Sequence, residues 1–130
     1  MSIRAGKAIF GMLRADKALS SRVGDRIFPI IALDDTTYPY IAYRRKNLIP
    51  AYTKDRHSVE DSIFVDVVIV GDSYEDTLTI GMDVLRVLGG KRGLYYGIDI
   101  NDIRLSDSEE EAGEVYMQRL EFEILINTLK

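Results

Sequence analysis

Between Ser62 and Val70 the apolar residues Ile63, Val65, Val67 and Ile69 alternate with Phe64, Asp66, Val68 and Val70. That pattern predicts a central strand with apolar contacts on both sides. Tyr116, Leu120, Phe122, Ile124 and Ile126 alternate with Met117, Arg119, Glu121 and Glu123, predicting a last strand over Glu114–Ile126 with one wet face. Ile98, Ile100, Ile103 and Leu105 predict another strand, irregular near Asp102. Arg26–Ile30 and Tyr40–Tyr43 have strand composition, and Pro29 confines the first to an edge or a strand end. Two segments have helical spacing instead. Ile9, Phe10, Met12, Leu13 and Leu19, interleaved with Lys7, Arg14 and Lys17, predict an N-terminal amphipathic helix, with Asp16 placed to cap a second short turn through Ser21 and Gly24 placed to terminate it. Tyr74, Leu78, Gly81, Met82, Leu85 and Leu88 predict a second helix, opened by a Ser73/Asp76 capping box and closed by Gly89-Gly90. Residues 44–60 read as an extended excursion, and Ser106–Glu114 as a polar, acidic loop. The order α-β-β-β-α-β-β predicts one α+β domain over residues 1–130, a mostly antiparallel sheet of four to five strands with two helices packed on one face.

Composition narrows the chemistry. The chain has 130 residues, 46% of them hydrophobic and 29% charged, which suits one folded domain and argues against a disordered or fibrous chain. With no cysteine, disulfides, thiolate nucleophiles, iron–sulfur clusters and cysteine-ligated zinc are excluded. No apolar run approaches the length of a membrane span and no leader-like apolar region follows the first residues, so the expectation is a soluble protein made in the cytoplasm. The net charge of −4 opposes a general nucleic-acid footprint. It is unevenly spread: residues 1–28 carry six basic and two acidic side chains, and residues 98–130 three basic and nine acidic. Such asymmetry is either a solvated accident or a means for the basic face of one subunit to meet the acidic face of the next.

No catalytic constellation emerges. His57 is the single histidine, lies in the polar excursion and has no Gly-x-Ser-x-Gly partner motif. Gly89-Gly90-Lys91-Arg92-Gly93 follows a helix rather than opening one, so helix termination explains it better than phosphate binding. The carboxylates Asp34/Asp35, Asp99/Asp102 and Asp107, Glu109, Glu110, Glu111 and Glu114 offer a magnesium-dependent nuclease or hydrolase as the alternative to a non-enzymatic role, but Ser106–Glu114 does not supply the ligand spacing and central glycine of a calcium loop. Arg44-Arg45-Lys46, near Tyr40, Tyr43 and Tyr52, is open to three readings: a nucleic-acid surface, charges that guard a strand end, or a protein-contact arm.

The segment order and two motifs resemble the tail-completion proteins of long-tailed phages, the tail terminators or head-to-tail joining proteins. The residues that carry the resemblance are Ser21–Pro29, with Val-Gly-Asp-Arg-Ile-Phe-Pro at its end, and Tyr38–Tyr43; then Ile63–Val67 followed by Gly71–Asp76; and last Tyr116–Phe122. It implies a non-enzymatic virion protein without cofactor or metal. Such a protein is expected to form a homo-oligomeric ring, commonly of six subunits, that caps the tail tube, contacts the tube protein and the head completion or stopper protein, and lets DNA pass without specific binding. It implies a place at the head–tail junction, reached from the host cytoplasm during assembly. A component of a contractile injection apparatus is compatible with the same residues. In such a ring, Arg44, Arg45, Lys46, Tyr52 and Arg56 are expected at an interface and Asp107, Glu109, Glu110, Glu111 and Glu114 at a channel or its rim, where negative charge repels phosphate. The sheet edges near Ile27 and Tyr43 are expected to accept a strand from a neighbour.

Overall fold

The computed structural model describes residues 2–52 and 58–128. After a single 3-10 turn at Ser2–Arg4 come α1 (Ala5–Ala15) and α2 (Lys17–Val23), β1 (Ile27–Pro29), β2 (Tyr40–Tyr52), β3 (Ser58–Gly71), α3 (Tyr74–Leu88), β4 (Gly93–Tyr95), β5 (Ile98–Ala112) and β6 (Tyr116–Asn127). The strands form one six-stranded sheet in the order β1-β2-β3-β6-β5-β4. β1 lies parallel to β2, and the remaining neighbours pair antiparallel.

This corrects the predicted architecture. Among the described residues the sheet is mixed and has six strands rather than four to five, there are three α-helices rather than two, and the order is α-α-β-β-β-α-β-β-β. Each difference has a local cause. Asp16 breaks the N-terminal helix because its extended backbone ends α1, while its carboxylate caps α2 by accepting the Leu19 N–H at 3.1 Å. Gly24, at φ +59°, then stops α2. The ten-residue return from Ile30 to Pro39 is long enough to carry the chain back to the start of β1, so β2 sets out in the same direction. β4 is three residues long and exposes Leu94, which leaves no period to detect.

The excursion and the acidic loop are also corrected. Residues 44–52 continue β2 along β3, with Arg44 opposite Asp66 and Leu48 opposite Ile63, and a bulge between Arg45 and Asn47. Residues 106–112 continue β5 along β6, with Glu109 opposite Arg119 and Glu110 opposite Gln118. His57 and Arg56 lie outside the described residues.

One core holds the fold. Ile63, Val65, Val67 and Ile69 of β3 and Leu120, Phe122, Ile124 and Ile126 of β6 point to the same side and pack with Ile9, Leu13, Leu19, Ile80, Val84 and Leu88 of the helices. Phe122 is fully buried at the middle of this layer. The Ser73 cap of α3 forms as its spacing predicts, its hydroxyl accepting the Asp76 N–H at 3.3 Å. Arg86 donates to both oxygens of Asp16 at 2.8–3.0 Å, and Arg22 donates to Asp83 at 2.9 Å, fastening α3 to α2.

Candidate functional site

The side of the sheet away from the helices carries charged side chains beside half-buried Phe64 and Val68, and the charges are arranged around Arg119. Alternation places Asp66 of β3 and Arg119 and Glu121 of β6 on this open face, out of phase with their strands' core residues, and the β5 bulge between Leu105 and Asp107 turns Asp107 and Glu109 onto it, opposite Glu121 and Arg119. Arg119 donates to Glu109 at 2.9 Å, to Asp107 at 3.0 Å and to Asp66 at 3.0 Å, and lies 3.9 Å from Glu121. Lys46, in the β2 bulge, closes on Glu121 from the other side. Asp66 and Glu121 face one another across the ladder, a like-charge pair that the two cations neutralise.

The protonation states follow. Hydrogen bonding to Glu109, then to Asp107, raises the Arg119 pKa above its ordinary value. The hydrogen bond from Arg119 holds the Asp107 carboxyl below its usual range, and that from Lys46 does the same for Glu121. The acidic cluster therefore already encloses a cation, a guanidinium. Among the described residues no group of three His, Asp or Glu side chains is set to hold a metal ion.

The structure divides the residues singled out in the sequence. Lys46 belongs to the ion-pair lattice, whereas Arg44 and Arg45 are exposed beside a groove of about 330 Å³, also lined by Arg4, Lys7, Ile30 and Tyr43. Tyr52 ends β2, and its side chain lies outside what is described. The tyrosines near the basic run are already engaged: Tyr43 packs on Phe10 with ring centroids 6.1 Å apart, and Tyr40 stacks on Tyr38 at 5.9 Å. Of the five carboxylates, Asp107 and Glu109 are held by Arg119, and Glu110 accepts from the Tyr74 hydroxyl at 3.0 Å and the Gln118 amide at 3.0 Å. Glu111 and Glu114 are exposed at the hairpin that joins β5 to β6.

Sequence reasoning missed Arg119 as an organiser. Its signal was present: Arg119 stands on the wet face of an apolar strand, and Asp66 is the one charge inside the most apolar run of the chain. It also missed Ile30, whose backbone sits at φ +69° and whose side chain is 70% exposed. A β-branched residue in the left-handed region is strained, and an exposed one gains no burial in exchange.

No protein-family model matches the chain. No curated protein matches it. Among solved structures it is similar to a chain from the virion of a native gene transfer agent particle, with a TM-score of 0.77 at 14% identity, over 95% of this chain and 96% of that one. The two chains share a fold.

Proposed function

We propose that this chain is a non-enzymatic structural subunit of a phage-like virion. In this reading it forms a ring that caps the tail tube and joins it to the head completion proteins. The observation that carries the reading is the likeness, over 95% of the chain, to a protein of a gene transfer agent virion. The site chemistry agrees with it. Of the carboxylates that the hydrolase alternative drew on, Asp107 and Glu109 are taken by Arg119 in cross-strand pairs, and Glu110 by Tyr74 and Gln118. A subunit that works by shape needs a well-held sheet and surfaces open to neighbours, a reading that exposed Arg44, Arg45, Glu111 and Glu114 support. The sheet is pinned on one side by the helical core and on the other by ion pairs.

Electron microscopy of particles assembled without this chain tests the proposal. Tubes of uncontrolled length and heads without tails are expected. Particles with joined tails of normal length would overturn the tail-end role.

A further inference from the structure

The sheet has two outward edges that its own short strands leave mostly open. β1 covers β2 only at Ile41–Tyr43, and β4 covers β5 only at Ile98–Ile100. Beyond those contacts, β2 from Arg44 onward and β5 from Asn101 to Ala112 have no further strand beside them among the described residues. An open edge presents unpaired N–H and C=O groups and is a template for another strand.

The two edges carry opposite charge. Along the β2 edge Arg44 and Arg45 join Arg4 and Lys7 around the groove, and none of the four has an ion-pair partner among the described residues. Exposed, strained Ile30 adds an apolar wall to it. The β5 edge ends in exposed Glu111 and, past the strand, Glu114. Charge on an edge commonly serves to repel other strands. Here it repels only a like edge: β2 against β2 opposes cations, β5 against β5 opposes carboxylates, and β2 against β5 is attractive. Direction agrees with charge. Because each of the ladders from β2 to β5 is antiparallel, β2 and β5 run in opposite senses, and a rotation about an axis along the strands sets β5 of one copy antiparallel to β2 of the next.

We infer that the basic groove along β2 receives the acidic β5 edge of a second copy of this chain, making a head-to-tail contact in which the sheet continues from subunit to subunit. Such a contact buries two different patches and therefore propagates, closing into a ring where the rotation allows. The inference rests on the ring reading above and names its contact.

Two charge-reversed proteins test it, Arg44→Glu/Arg45→Glu and Glu111→Lys/Glu114→Lys, compared with the unaltered chain by sedimentation and mass photometry over a concentration and salt series. None of the four makes an ion pair in the Arg119 lattice, although Arg44 stands opposite Asp66 on the ladder, and unchanged melting temperatures verify that both variants fold. The unaltered chain is expected to form species above the monomer that dissociate as salt rises. Each variant alone should weaken self-association on the order of a hundredfold. An equimolar mixture of the two should regain the original mass, because every contact in an alternating assembly is again between opposite charges.

An unaltered chain that stays monomeric throughout, variants that keep the original mass, or a mixture that stays dissociated would each overturn the contact. So would binding of a short DNA duplex that Arg44→Glu/Arg45→Glu abolishes, since the groove would then belong to phosphate. Failure here is separable from failure of the virion role: a chain that self-associates this way but is dispensable for tails refutes only the role. A chain required for tails whose variants still assemble refutes only the contact.

Discussion

The centre of the open sheet face and its two edges are built from the same residue types and do different things with them. At the centre, Arg119 and Lys46 are matched to Asp66, Asp107, Glu109 and Glu121, and the Arg119 and Asp66 side chains are only 15% and 9% exposed. At the edges, Arg44, Arg45 and Glu111 are exposed, and nothing within the described chain answers them. A matched charge in a half-dry place holds a fold together, because removing one partner strands the other. An unmatched charge in water contributes little to stability and stays available to a partner. Charge density along the sequence does not separate the two classes; pairing does.

The largest effect that would break this contrast is at Arg119. Arg119→Ala should destabilise the chain by about 3 kcal/mol, because it leaves Asp66 buried beside Glu121 without its guanidinium. Replacing Arg119 and Asp66 together by apolar residues of similar volume should cost less than Arg119→Ala alone, as urea unfolding of the two variants would show. Equal losses would mean that the pair does not act as a unit.

The second effect is on acid stability. Asp107 and Glu121 titrate below their ordinary values of 3.8 and 4.5 in the folded chain, so near and below those values the unfolded chain takes up protons first. Their contribution is present in full above the ordinary carboxylate range and is lost as pH falls through the lowered folded values. The melting temperature should therefore fall steeply below about pH 4, in the region where ordinary carboxylates protonate. The acid limb should be shallower in Arg119→Ala, which has already lost the Asp107 pair while keeping that of Glu121 with Lys46.

The smallest effect belongs to the edges. Arg44→Ala with Arg45→Ala should change unfolding stability by less than about 0.5 kcal/mol, since neither side chain has a partner within the described chain. A loss comparable to that of Arg119→Ala would show these arginines to be structural.

How much of this was legible in the sequence follows the same division. The core side of β3 and β6 was readable because strict alternation of Ile63 to Ile69 and of Leu120 to Ile126 has one physical meaning. The Ser73 cap and the Gly24 stop were readable because each is a local signal. The outer half of β5 was not, since Asp107, Glu109 and Glu110 are poor strand formers until Arg119 and Gln118 satisfy them across the ladder and Tyr74 from α3. The same holds for residues 44–52, whose strand character comes from pairing with β3. Direction was invisible at β1, where a three-residue strand becomes parallel only because of the loop that follows. Arg44 and Arg45 were singled out in the sequence, but Arg4, Lys7 and Ile30 joined them only through folding.

The most direct measurement on the central claim is the length of tail tubes grown in vitro from the tube protein, with and without this chain. If it is a ring that caps the tube, adding it during growth should halt elongation and leave an annulus at one end of each tube by electron microscopy. An unchanged length distribution, with the chain absent from tube ends, would contradict the account.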